Sequence, residues 1–378
     1  MTTQPTPIPF IDLKAQQKAI RPQIEQAINR VLDHGRYGFG PECAQFEEDL
    51  KTFTGVGHVL GCSNGTDALT MLLLDLGVGP GDAVFVPAYT FIATAEVVAL
   101  RGALPVFVDV CDDTFNMDAQ DLKSAIKAAQ KEGLTLKGVI SVDLFGQPAD
   151  HDAIQAVAKA HDMWVINDAA QSCGATYKGK STMQFGTAAT TSFFPAKPLG
   201  GYGDGGAIFL NDAEQAERLK NIRVHGHGVD ANHISNLGLT GRLDTIQAAI
   251  LIEKLKIFPA EITARQKSAD IYAEALDKCV SVPVVADGST SVWAQYTLQT
   301  TASKRNKLQQ HLMDQGIPTA IYYKYPLHVQ KVYKHGLLGR TLKTTDKLSQ
   351  TVLSLPMHGY LRADIQDRII TAVKECIG

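Results

Sequence analysis

The sequence contains no apolar run of the ~18 residues that a membrane-spanning helix needs, which removes that class. It has no CxxC pair: the six cysteines (Cys43, Cys62, Cys111, Cys173, Cys279 and Cys376) are scattered. Such spacing suits neither a disulfide scaffold nor a zinc site, and is what a cytoplasmic protein with free thiols shows. Charge of one sign is not in excess, with 36 Lys plus Arg against 39 Asp plus Glu and a formal net charge of −3. Nucleic acid and anionic membrane are therefore not expected partners. The opening residues, MTTQPTPIPFIDL, hold no basic stretch followed by an apolar run, so no secretory signal is expected. Internal repeats and low-complexity segments are absent too.

What remains is ordinary globular composition: 378 residues, 45% hydrophobic and 20% charged. That length suits two domains. Composition names no chemistry; periodicity gives the fold class. Helical spacing of Ile20, Ile24, Ala27, Ile28, Val31 and Leu32 predicts an early helix that Gly35 stops. A second helix opens at Asn64-Gly65-Thr66-Asp67 and runs through Leu73. Nearly continuous apolar runs follow at Ala83 to Pro87, Leu104 to Val110, Gly138 to Leu144 and Met163 to Ile166, separated by helical patterns over 92–102, 119–131 and 151–161. That alternation predicts an α/β fold with a mostly parallel sheet covered on both faces. Thr190 to Phe194 and Ala207 to Leu210 lie close enough in the chain to be antiparallel neighbours. A long helix from Asp244 reaches Pro259, and another follows to about Leu276. The expected division is a large α/β domain over 1–250, with an N-terminal arm and helix, and a smaller α+β domain over 251–378.

Ligands of α/β sheets bind outside the carboxyl ends of the parallel strands, and three motifs sit where strands should end. Cys62-Ser63-Asn64-Gly65-Thr66 opens a helix, whose free N–H groups and positive dipole end suit a phosphate; an ordinary N-cap is the alternative. Asp168 follows the buried run Trp164-Val165-Ile166, where a carboxylate is costly unless a cation or a hydrogen bond meets it; a turn or cap is the alternative. Lys197 follows Ser192-Phe193-Phe194-Pro195-Ala196, and a desolvated lysine has the nucleophilic amine that imine formation requires; a solvated surface lysine is the alternative. Gly201, Gly203 and Gly206 satisfy G-x-G-x-x-G, but the next residues read as a strand where a dinucleotide site needs a helix. The glycines instead suggest close backbone approach to a bulky cofactor beside Lys197. His225, His227 and His233 have no metal-ligand spacing and read as a polar loop.

An imine-forming lysine, an acid for a ring nitrogen and a phosphate cradle are together the requirements of pyridoxal 5'-phosphate. In chain order, NGTDAL, DAAQSCGATYKGK, SFFPAKPLGGYGDGG and GRLDTIQAAIL resemble the DegT/StrS family of sugar aminotransferases, and the similarity spans Ile8 to His358. The resemblance implies a fold-type I homodimer with active sites shared between chains. It implies a Schiff base at Lys197, whose amine then moves a proton at the reacting carbon. Asp168 would keep the pyridine nitrogen protonated, Gln171 would touch the ring oxygen and Phe91 would stack on the ring. Gly65, Thr66 and Ser192 would hold the phosphate, and Thr240 stands where the family has an asparagine reaching the neighbouring chain's phosphate. Ala196 replaces a serine common before the lysine. Around Gly35, Tyr37 and Arg242, with Tyr322 and Tyr323 matching in part, the chain looks most like enzymes acting on UDP-2-acetamido-3-oxo-hexuronic acids. The expected reaction moves an amino group from glutamate to C3 of that sugar, for lipopolysaccharide O-antigen or other surface polysaccharide. The alternatives are a 3- or 4-keto-6-deoxy sugar linked to TDP or GDP, and a non-catalytic regulator on the same scaffold.

Overall fold

The computed structural model describes residues 8–228, 232–333 and 335–378. Eleven helices run in chain order among those residues: α1 Leu13–His34, α2 Pro41–Thr54, α3 Gly65–Asp75, α4 Ala93–Leu100, α5 Ala119–Lys131, α6 His151–Lys159, α7 Ala213–Ile222, α8 Thr245–Leu276, α9 Ala302–Asp314, α10 Lys343–Thr351 and α11 Ala363–Ile377. The strands are β1 His58–Cys62, β2 Asp82–Pro87, β3 Leu104–Val108, β4 Thr135–Val142, β5 Trp164–Asp168, β6 Thr176–Tyr177, β7 Lys180–Ser181, β8 Ala188–Ser192, β9 Gly206–Leu210, β10 Tyr296–Gln299 and β11 Val352–Leu355.

Seven strands form one sheet in the order β1-β9-β8-β5-β4-β2-β3. From β3 to β8 all neighbours are parallel, and only β9 runs against the rest. The apolar runs read as buried strands because both faces are covered: Val84, Val86, Ile140, Ile166 and Ile208 pack into one core, and Ala83, Phe85, Val139 and Val165 into another. The expected antiparallel pair is β8 with β9, in register from Ala188 opposite Leu210 to Ser192 opposite Gly206.

A separate core gathers Tyr296, Leu298, Leu308, Leu312, Leu353, Leu355, Ile369 and Val373 around the β10–β11 pair. One departure from the sequence reading is at Pro259. The chain does not break there: α8 is a single helix of 32 residues with Pro259 inside it. A proline removes one backbone hydrogen bond and costs about 3 kcal/mol in a helix interior. Packing on both sides outweighs that loss, since Leu251, Leu255 and Phe258 enter the sheet's core while Ala269, Tyr272 and Leu276 enter the second one. The expected division after residue 250 thus lands inside a continuous helix.

Candidate active site

Because β1, β5 and β8 point the same way, their carboxyl ends share one edge of the sheet. Cys62, Gly206 and Ser192 stand in a row across β1, β9 and β8, and Asp168 ends β5 opposite Thr190. The three motifs, far apart in the chain, therefore meet.

At the first motif the capping alternative is seen directly, and the cap leaves the helix end open. Asn64 caps α3, its Oδ1 accepting from Asp67 N at 2.7 Å, while its Nδ2 donates to Asp67 Oδ2 at 2.9 Å. Ser63 also bonds that carboxylate through its hydroxyl. The cap uses Asp67 N and leaves the N–H groups of Gly65 and Thr66 at the positive end of the helix. Gly65 faces Ser192 so closely that a Cβ on it would stand 2.9 Å from Ser192 Cβ. Gly65 and Thr66, at the head of α3, thus stand beside Ser192 at the end of β8.

Asp168 is buried. Its Oδ2 accepts from Thr94 Oγ1 at 2.9 Å and its Oδ1 from Ala170 N at 3.2 Å, the latter being the turn contact that the sequence suggested. Burial pushes its carboxyl above the usual range, against the pull of Thr94 and of the Lys197 charge. Among the described residues no cationic side chain stands within the 4.0 Å of an ion pair. Lys197 is half-buried, and no hydrogen bond or ion pair fixes its Nζ among the described residues. Burial holds its ammonium below the usual lysine range, with Asp168 pulling the other way. Lys197 is thus neither fully solvated nor paired among the described residues. Gln171 is buried, accepting from Phe145 N at 2.8 Å and donating to Tyr323 Oη at 3.2 Å. Tyr322 packs beside Phe145, and its carbonyl accepts from Tyr89 Oη. Phe91, just before α4, is 55% exposed, an open aromatic face beside the turn that brings Thr94 to Asp168.

Of the remaining candidates Gly35, Tyr37 and Thr240 are exposed and Arg242 is not. Gly35 closes α1 in the left-handed region, and the next residues bring Tyr37 against the start of α8, Tyr37 O accepting from Thr245 N at 3.0 Å. Arg242 is half-buried with no hydrogen bond or ion pair among the described residues, next to Gly241, whose carbonyl accepts from Ser63 N at 3.2 Å. Thr240 does not join the phosphate concavity of its own chain; its Oγ1 lies 2.8 Å from His225 Nε2.

The glycine run departs from the sequence reading. The atoms that crowd it belong to the protein. Cβ atoms at Gly201 and Gly203 would stand 2.8 and 2.9 Å from the Gln247 amide, and one at Gly206 would stand 2.5 Å from Asn64 C. The strand β9 does follow directly, so the dinucleotide fingerprint has no helix to work with.

Sequence reasoning missed Thr94, which lies 74 residues from its partner Asp168, and missed the role of Gln247. A hydroxyl three residues after the exposed Phe91 was the only available signal for Thr94.

A parallel-sheet domain with a desolvated lysine, a buried acid and an anion cradle at one strand edge is the arrangement of a fold-type I aminotransferase. Residues 18–374 match the DegT/DnrJ/EryC1/StrS aminotransferase family, and the chain belongs to it. The UDP-2-acetamido-2-deoxy-3-oxo-D-glucuronate aminotransferase of Pseudomonas aeruginosa is 47% identical over 94% of this chain and 96% of its own length. A pleiotropic regulatory protein of Geobacillus stearothermophilus is 40% identical over 97% of this chain and 98% of its own. Among solved structures, a DegT DnrJ EryC1 StrS aminotransferase from Brucella abortus superposes with a TM-score of 0.96 at 48% identity, covering 98% of this chain and 100% of that one. NtdA from Bacillus subtilis, solved with bound cofactor PMP, gives 0.90 at 29% identity, covering 99% of this chain and 86% of that one.

Proposed function

We propose that this protein is a pyridoxal-phosphate-dependent aminotransferase that moves an amino group from glutamate to C3 of a UDP-2-acetamido-3-oxo-hexuronic acid. The observation that carries it is the buried Asp168 carboxylate, unpaired with any cation among the described residues, on the same sheet edge as a desolvated lysine and the close approach of Gly65 to Ser192. A buried carboxylate left so is costly, and a protonated pyridine nitrogen is the partner that would offset it. The donors at Gly65, Thr66 and Ser192 fit a phosphate monoester. The residues therefore fit pyridoxal phosphate, which when bound supplies an electron sink for a carbanion at the reacting carbon.

This chain's residues do the rest. Asp168 would keep the ring nitrogen protonated, and Thr94 holds Asp168 in place for it. Burial lowers the proton affinity of Lys197 below that of an ordinary lysine, which suits an Nζ that would take a proton and return it. Gln171 and Tyr323, hydrogen-bonded to each other, would flank the ring, and Phe91 would offer it an aromatic face. Arg242, with no partner among the described residues, would bind a carboxylate in bidentate fashion, and Tyr37 and Gly35 would flank the nucleotide sugar. Thr240 faces outward from the protomer. In a homodimer it would reach the cradle of the second chain, with a threonine hydroxyl in place of the family's asparagine.

A regulatory role without catalysis would need a missing chemical group, and Lys197, Asp168 and the cradle are all present. The deciding experiment offers glutamate with a panel of 3-keto and 4-keto nucleotide sugars and identifies each aminated product. Amination of the UDP-linked 3-oxo-hexuronate is expected; reaction with 4-keto sugars alone would overturn the substrate assignment.

A further inference from the structure

Beside Asp168 lies a buried polar cluster for which the reaction outlined above has no use. Asp143 follows Val142, the residue opposite Asp168 in the β4–β5 ladder, and its N–H donates to Asp168 O at 3.2 Å. Asp143 and His151 are both completely buried and paired at 3.3 Å. The same carboxylate accepts from Ala149 N at 2.8 Å, Ser172 Oγ at 2.8 Å, Asn167 Nδ2 at 3.0 Å and the hydroxyl of Thr182. His151 is itself fixed, stacked on Phe185 at 4.7 Å with Tyr177 edge-on at 5.4 Å.

Two features of this cluster point at the cofactor site. Its hydrogen bonds grip Asn167, immediately before Asp168, and Ser172, immediately after Gln171, so one carboxylate pins both ends of the turn that carries both groups. It also carries a charge where a neutral amide would have held the loops at lower desolvation cost. Burial works against that charge, yet His151, Thr182 and the Ala149 N–H hold the Asp143 carboxyl below its usual range. The anion acts on its neighbour, since Asp143 is one of the groups that raise the proton affinity of Asp168.

We propose that Asp143, anchored by His151, is a positioning residue for Asp168 and Gln171, and that its negative charge strengthens the hold of Asp168 on a protonated ring nitrogen. This rests on the reading of Asp168 as the partner of that nitrogen. The titratable groups facing Asp168 are Lys197 from the turn after β8, Tyr323 from the loop 320–325 and Asp143 with His151 behind it; α4 contributes only the neutral Thr94.

The test uses the full-length protein titrated with pyridoxal phosphate, following three quantities: the dissociation constant, the pH midpoint of the visible absorption band and the melting temperature without added cofactor. Asp143→Asn is expected to weaken cofactor binding about tenfold, by analogy with outer-shell partners of bound groups. Loss of a nearby anion makes every cationic acid at the site more acidic, so the midpoint falls, by about one pH unit. Thr182→Val removes the smaller support of a hydroxyl while His151 and the N–H and side-chain donors of Ala149, Asn167 and Ser172 still hold the charge, so it lowers the melting temperature and moves the midpoint much less than Asp143→Asn. His151→Phe fills the same aromatic slot and removes the strongest of the groups that favour the Asp143 charge. It reproduces the downward midpoint shift even if Asp143→Asn does not fold. A midpoint in Asp143→Asn or His151→Phe that stays with that of Thr182→Val makes the cluster merely structural and overturns the proposal. Asp168→Asn separates the two readings: if it binds the cofactor like the wild type, the assignment of Asp168 has failed on its own.

Discussion

The proposed phosphate cradle makes a quantitative demand on Gly65. A Cβ there would stand 2.9 Å from Ser192 Cβ, 3.4 Å from Ser192 Cα and 3.5 Å from Thr191 O. Two carbons rest at ~3.5–4.0 Å, so the nearest contact is short by at least half an ångström. None of these atoms is the end of a flexible side chain. Ser192 is the last residue of β8, paired with Gly206 across the ladder, and its neighbour Thr191 is tied by Oγ1 to Ala169 O at 3.0 Å. Relief must come from the first turn of α3 moving away from β8. Overpacking of this kind costs about 1–3 kcal/mol, and the helix-propensity gain of alanine over glycine returns at most about 1 kcal/mol.

Moving that turn also separates the donors on Gly65 and Thr66 from Ser192. Hydrogen bonds to a charged group contribute about 1.5–3 kcal/mol each, so losing one weakens pyridoxal-phosphate binding by roughly 10–100-fold. The assay is an equilibrium titration of Gly65→Ala with pyridoxal phosphate, with melting of the unloaded protein measured in parallel. Gly77→Ala is the control. Gly77 has φ +63 with nothing within 4 Å of its Cβ position, so alanine there is strained without any clash. That strain costs about 1 kcal/mol of stability and leaves cofactor affinity unchanged. If Gly65→Ala binds the cofactor within twofold of wild type, Gly65, Thr66 and Ser192 are not the phosphate site.

Thr94→Val removes the 2.9 Å hydrogen bond to Asp168, lifting an already raised carboxyl further and lowering kcat about tenfold; Thr94→Ser restores it. Equal rates for the valine and serine variants would remove Thr94 from the site. Arg242→Lys keeps the charge but loses the bidentate fork, so KM for the uronate substrate rises about tenfold or more while melting is unchanged. An unaltered KM would take Arg242 out of substrate recognition. His358 carries an acid-sensitivity prediction: burial, then nearby Arg265, hold it down to about 4. The unfolded chain protonates this histidine first, near 6.5, so stability present above that pH is lost as pH falls toward 4, by about 3 kcal/mol in all. Denaturant unfolding of His358→Gln between pH 7 and 4 should show a flatter slope, and an identical slope assigns the effect elsewhere.

The sheet was readable from sequence because its strands are buried on both faces. Burial writes itself as continuous apolar runs such as Val84-Phe85-Val86 and Val139-Ile140. The chemical groups were readable for the opposite reason: Asp168 and Lys197 stand out as charges next to those runs. Their supports were not readable. Gln171 and Tyr323 were each named from the resemblance, but 152 residues separate them and nothing in the sequence pairs them; Asp143 and Thr182, 39 apart, are unremarked polar residues until the fold brings them together. Pro259 misled for a local reason, since a backbone rule predicts a break that packing on two cores overrides.

The glycine run shows how a correct location can carry a mistaken cause. Read as sequence, five glycines between 200 and 206 beside a reactive lysine suggest room left for a ligand. In the structure that room is taken. Tyr202 N donates to Gln247 Oε1 at 2.8 Å, so an amide from the first turn of α8 holds the run from below, between Gly201 and Gly203. Gly206 lets β9 lie against Asn64, the cap of the helix that carries the cradle. The glycines thus serve the site indirectly. They let α8, β9 and α3 close around the Lys197 turn, and a side chain at any of Gly201, Gly203 or Gly206 would displace a protein contact before it met a ligand. Gly206→Ala should therefore resemble Gly65→Ala, weakening cofactor binding through the displaced cradle, because both substitutions push on the same first turn of α3.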